Sequence, residues 1–115
     1  MNINKFTQKS LEAVQKCEKL AYEYGNQQIE QEHLLYSLLT VEDSLILKLI
    51  TKMNVQKEQF LNEAAQAIEK LPKVSGGQLY ISNDLNKVLI SAEDEAKAMG
   101  DEYVSVEHLF LAMLK

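Results

Sequence analysis

The chain contains no arginine and no tryptophan, and only one proline, one cysteine and four glycines. So little proline and glycine argues against a β-sandwich or a loop-rich scaffold, which use both residues at turn after turn. The single cysteine, Cys17, allows neither an intrachain disulfide framework nor a thiolate metal cluster. It lies one helical turn from Val14 and Ala21 on an apolar stripe, the setting of a buried, inert thiol. Positive charge is also short. The formal net charge is −5, and Lys5, Lys9, Lys16 and Lys19 are interleaved with acids rather than gathered. Nucleic acid and anionic membrane are therefore poor partners, because phosphate binding needs a basic face. No run reaches the ~18 apolar residues of a membrane span, and the first five residues carry no apolar signal core. The expectation is a cytoplasmic chain.

What is present is helical and repeated. An apolar fraction of 46% and 115 residues suffice for one domain with a real core. Residues 6–40 align with residues 81–115 without a gap. Glu18, Ala21, Gly25, Glu32, His33, Leu34 and Leu39 meet Glu93, Ala96, Gly100, Glu107, His108, Leu109 and Leu114, all identical. Thr7 meets Ser82, Val14 meets Leu89 and Ile29 meets Val104. An ungapped register of this length marks an internal structural repeat.

The periodicity predicts an all-α architecture of about six helices. Thr7 opens the first as an N-cap, Leu11, Val14, Cys17 or Glu18, Ala21 and Tyr24 recur at helical spacing, and Gly25-Asn26 closes it. The second begins near Glu30 with Glu32 in its first turn. A short third starts at Glu42-Asp43-Ser44, and a fourth runs from about Gln56 to Leu71, where Pro72 stops it. Ser82 caps the fifth, Gly100 ends it, and Ser105 caps the sixth. No strand alternation stands out. Residues 1–71 thus form a four-helix repeat, 72–80 a linker, and 81–115 two helices of a second repeat. The sixth helix shows Leu109, Phe110, Leu111, Met113 and Leu114. That is more apolar surface than one neighbour covers, so an exposed patch prone to self-association is expected there.

Catalytic patterns do not emerge. Glu32-His33 and Glu107-His108 could in principle ligate zinc, but zinc proteases place two histidines four apart on one helix. The plainer reading is a helix-start acid followed by a hydrogen-bonded histidine. Gly76-Gly77 is not followed by Lys-Ser or Lys-Thr, so it is no phosphate loop. No metal, cofactor or catalytic residue is expected.

Thr7 with a helix to Gly25, then Ile29-x-x-Glu32-His33-Leu34-Leu35, and the same again from Ser82, resembles the Clp N-terminal repeat. The opening residues 1–10, Leu71-Pro72-Lys73-Val74 and Gly100-Asp101-Glu102-Tyr103-Val104-Ser105 are most similar to the ClpB disaggregase branch, with the ClpC branch second. The resemblance implies two four-helix repeats in a module without activity of its own. Such a module belongs to an AAA+ ATPase ring, engages unfolded or aggregated polypeptides and, in some branches, adaptor proteins. It also implies client contacts at Thr7, Ser82, Asp101 and Glu107, beside an apolar groove near Leu89. Thr7 and Ser82 serve equally as N-caps, and Glu107 as a helix-start acid, roles that need no client. An accessory protein built from the repeat alone is the rival class, and a metal-dependent enzyme using both histidines a third.

Overall fold

The computed structural model describes residues 3–41, 45–74 and 77–114. A 3₁₀ turn at Ile3–Lys5 leads into helix α1 (Gln8–Glu23), strand β1 (Gln28–Ile29), α2 (Gln31–Leu39), α3 (Leu45–Lys52) and α4 (Lys57–Glu69). Strand β2 (Tyr80–Ile81), α5 (Asn83–Ala98) and α6 (Val106–Met113) follow. The expected start of α3 at Glu42-Asp43-Ser44 lies outside the described residues, as do Gly76 and Lys115.

Local chemistry sets the helix ends. The Thr7 hydroxyl accepts the Ser10 amide hydrogen at 3.2 Å and the Ser82 hydroxyl that of Leu85 at 3.0 Å, each satisfying an orphan donor of the first turn. α1 and α5 both stop at a glycine in the left-handed region, Gly25 at φ 73° and Gly100 at φ 74°. Asn26 N–H then reaches Ala21 O and Asp101 N–H reaches Ala96 O, both at 2.8 Å, the six-to-one bond of a Schellman motif. α3 ends the same way with Asn54 at φ 61° in the glycine's place.

The buried face of α1 is Ser10, Ala13, Cys17, Leu20 and Ala21, with Leu11 and Val14 half-buried against it. Leu34, Leu38 and Leu39 of α2 are wholly buried, and burying each contributes about 2 kcal/mol. A single apolar core draws from both repeats.

Two sequence expectations change. The exposed patch on α6 is largely absent, because α6 packs against α1, α2 and α3 of the first repeat as well as α5. Leu109, Phe110 and Ala112 are buried, and Leu114 carries the main exposed apolar surface at 58%. The second difference is a two-stranded parallel sheet, Gln28 beside Tyr80 and Ile29 beside Ile81, with an isolated parallel bridge between Phe6 and Val104. Two-residue strands are too short to show alternation; they exist because the two repeats bring them together.

Candidate functional site

The repeats are joined along two seams. At one, Thr7 N–H donates to Val104 O at 2.9 Å; at the other, Ser82 N–H donates to Ile29 O at 3.1 Å. Thr7 corresponds to Ser82, and Ile29 to Val104, in the internal alignment. Each repeat thus lends the residue before its first helix to the loop before the other repeat's second helix, a pseudo-two-fold exchange. The Ser10 hydroxyl, fully buried, also donates to Val104 O at 2.7 Å.

Each repeat carries the same histidine relay. Glu30 N–H donates to His33 Nδ1 and Ser105 N–H donates to His108 Nδ1, both at 2.9 Å. Acceptance at Nδ1 fixes the proton of the neutral ring on Nε2. His33 Nε2–H then donates to Asn26 Oδ1, and His108 Nε2–H to Asp101 Oδ2, again both at 2.9 Å. Both nitrogens of each ring are therefore committed within its own repeat. Burial pushes the His33 pKa below its ordinary value, against a weaker upward pull from Glu30. Burial likewise pushes the Cys17 thiol up to about 12, so it stays protonated.

The residues singled out in the sequence are distributed as follows. Thr7 is half-buried on the Phe6–Val104 seam and Ser82 is buried on the sheet seam. Ser82 opens onto a polar cleft of about 350 Å³ lined by Gln28, Glu30, Tyr80, Ile81, Asn83 and Asp84. Asp101 lines a different cleft with Lys5, Asp94, Glu102 and Val104, of about 190 Å³. Its side chain is 50% exposed. Glu107 is half-buried in the first turn of α6. Leu89 is only 2% exposed, whereas the next residue, Ile90, is 53% exposed. The structure therefore brings Thr7 and Asp101 to loops flanking Val104 and leaves Ser82 at the other seam.

Sequence reasoning overlooked Tyr80 and Ile81, which stand exposed on β2 at 48% and 37%. Tyr80 sat at the end of the expected linker and Ile81 at the start of the second repeat, and only the structure shows that they pair as a strand with Gln28 and Ile29. Tyr80 Oη accepts a hydrogen bond from Gln28 Nε2 at 2.7 Å, between paired residues of β1 and β2. No helix among the described residues is long and apolar enough to cross a membrane.

The chain is 46% identical to the chaperone protein ClpB of Porphyromonas gingivalis over 114 residues, 99% of this chain and 13% of the relative. It spans about an eighth of the length of such relatives. The Hsp104 N-terminal domain from Candida albicans superposes with a TM-score of 0.88 at 20% identity, covering 96% of this chain and 74% of that one. A ClpV N-domain, solved in complex with a VipB peptide, superposes with a TM-score of 0.84 at 19% identity, covering 97% and 69%. At these identities the superpositions establish the fold. Residues 5–115 match the Clp repeat (R) N-terminal domain, and the chain, with its paired repeats and shared histidine relays, belongs to that family.

Proposed function

We propose that the chain is the client-engaging N-terminal domain of a ClpB-like AAA+ disaggregase, catalytically inert in itself. It binds unfolded or aggregated polypeptide in the cytoplasm and passes it toward the ATPase ring of the longer protein. The observation that carries this reading is the 46% identity to a ClpB chaperone along nearly the whole chain. A peptide complex of a domain with the same fold supports polypeptide as the ligand class.

In this reading Thr7, Ser82, Asp101 and Glu107 supply the polar contacts. Near Leu89 the apolar contact passes through the exposed Ile90, and at the sheet seam through Tyr80 and Ile81. Unfolded segments present apolar side chains together with unpaired backbone groups, and a surface mixing both suits them. Binding is weak and largely insensitive to salt, because apolar contact is not screened.

The test is fluorescence anisotropy of a labelled, permanently unfolded client, reduced and carboxymethylated lactalbumin, titrated with the chain at low and high salt. Saturable binding that persists at high salt supports the proposal. Absence of binding up to millimolar domain, with the native lactalbumin control equally silent, refutes it. A role for the same surface in docking adaptor proteins is the second reading, favoured by the peptide-bound ClpV N-domain.

A further inference from the structure

The segment that joins the repeats lies along the loop that joins α1 to α2. Carbonyls of alternate loop residues accept from it. Gly25 O takes Val74 N–H at 2.9 Å, while Gln27 O takes Tyr80 N–H and Ile29 O takes Ser82 N–H, both at 3.1 Å. Gly77, at φ 88°, crosses so near Gln27 that an added Cβ would stand 2.9 Å from Gln27 Nε2. Apolar burial contributes little to this attachment. From Pro72 to Ile81 every described residue is exposed except Leu79, which packs half-buried against the core. The ion pair of Lys73 with Glu69, at 3.5 Å, is exposed on both sides and adds little.

One tie runs the other way and reaches the interior. The buried Asn26 donates from Nδ2 to Pro72 O at 3.0 Å, while its Oδ1 accepts from His33 Nε2 at 2.9 Å. The same imidazole accepts Glu30 N–H at Nδ1. His33 thus holds both ends of the loop. With its proton on Nε2, the ring claims the Asn26 oxygen and leaves the amide nitrogen to face Pro72.

We infer that the segment from Pro72 to Ser82 is a strap that opens as one unit ahead of the helices, and that Asn26, oriented by His33, is its latch. Exposed segments held by hydrogen bonds over little apolar contact are the first parts of a fold to open. The latch is different in kind from the other ties, because its side chain is fixed from within the first repeat and stays behind when the strap lifts. Opening takes Ser82 along, and with it the N-cap bond from the Leu85 amide to the Ser82 hydroxyl. The seam between Thr7 and Val104 uses no strap residue and stays closed. The joint between the repeats is therefore releasable on one side and fixed on the other.

The test is native-state amide hydrogen exchange of the labelled 115-residue chain at urea concentrations below its unfolding midpoint. The amides of Val74, Tyr80 and Ser82 should share one opening equilibrium, and should open more readily than Thr7, Cys17 and Leu20. Asn26→Asp keeps an acceptor for His33, as Asp101 does for His108, but sets an oxygen against Pro72 O. It should raise the opening of all three strap amides at least about fivefold, the scale of one neutral hydrogen bond, and leave Thr7, Cys17 and Leu20 unchanged. Gly77→Ala, strained at a positive φ on the exposed strap, should raise the same three together. Three unrelated opening equilibria, or a rise in Gly77→Ala that spares Val74, would overturn the unit. Unchanged strap amides in Asn26→Asp would overturn the latch. An equal rise at Cys17, or failure of Asn26→Asp to fold, would make Asn26 a support of the whole repeat and overturn it too.

Discussion

Ile29 and Val104 hold the two repeats together by the same bond made in opposite senses. Ile29 O accepts the N–H of Ser82, and Val104 O accepts the N–H of Thr7, at 3.1 and 2.9 Å. Both residues are buried, at 9% and 1%. The N-caps of α1 and α5 are therefore also the stitches between repeats. Any ligand that touches Thr7 or Ser82 touches residues the fold already depends on.

That double duty can be separated. Thr7→Ala and Ser82→Ala should each lower stability by about 1 kcal/mol, read from urea denaturation, because a first-turn amide loses its acceptor. Thr7→Asp restores capping, since a carboxylate is as good an N-cap as a hydroxyl. Recovered stability with unrecovered client affinity would assign the Thr7 hydroxyl to binding. Recovery of both would reduce it to a cap.

His33 should make the fold acid-sensitive. Burial lowers its pKa in the folded chain, so below the ordinary value of 6.5 the unfolded chain takes up a proton that the folded chain resists. The resulting stability is present in full above that pH and is lost as pH falls through the lowered value. At pH 7, His33→Gln should be less stable by about 1–3 kcal/mol, through loss of one buried and one part-buried hydrogen bond. The gap between variant and wild type should narrow as pH drops from 7 to 5 in thermal melts. A constant gap would mean that His33 takes up its proton equally in the folded and unfolded chain, so that burial does not lower its pKa.

Cys17, with its thiol held up to about 12, should react with a disulfide reagent at pH 8 only as fast as the domain opens. Adding urea below the unfolding midpoint should raise the rate in step with the unfolded fraction. Prompt reaction in native buffer would place the thiol at the surface instead.

Gly25→Ala and Gly100→Ala should each cost about 1–2 kcal/mol, because an L side chain is strained at their positive φ values. The costs should be alike, since the nearest atom to a new Cβ at Gly25 is at ordinary contact distance and none of the described residues comes within 4 Å at Gly100. Chemical denaturation of the two variants checks this.

The order of helices was legible because their end signals are local. Thr7, Ser82, Gly25, Gly100 and Pro72 act through their own turns, and the sequence shows them without help from the rest of the chain. The buried face of α1 was legible only in part. Ser10 is fully buried by virtue of its bond to Val104 O, a partner on the other repeat, and a lone serine gives no hint of it. The strands escaped notice for the same reason, as did the covering of α6 by the first repeat. Both arise from contact between distant segments and leave no periodic trace. Among the candidate residues, pairing Thr7 with Ser82 and His33 with His108 came from the repeat itself. The burial of Leu89 did not, because its stripe reads the same whether it faces a groove or α6.

The most direct test of the central claim is an amide chemical-shift titration of the labelled chain with unfolded, carboxymethylated lactalbumin. Saturable perturbations concentrated at Thr7, Tyr80, Ser82, Ile90, Asp101 and Glu107, and weakened by Thr7→Asp or Asp101→Asn, are the predicted result. Saturation with those amides unmoved, or no binding at all, would contradict the account.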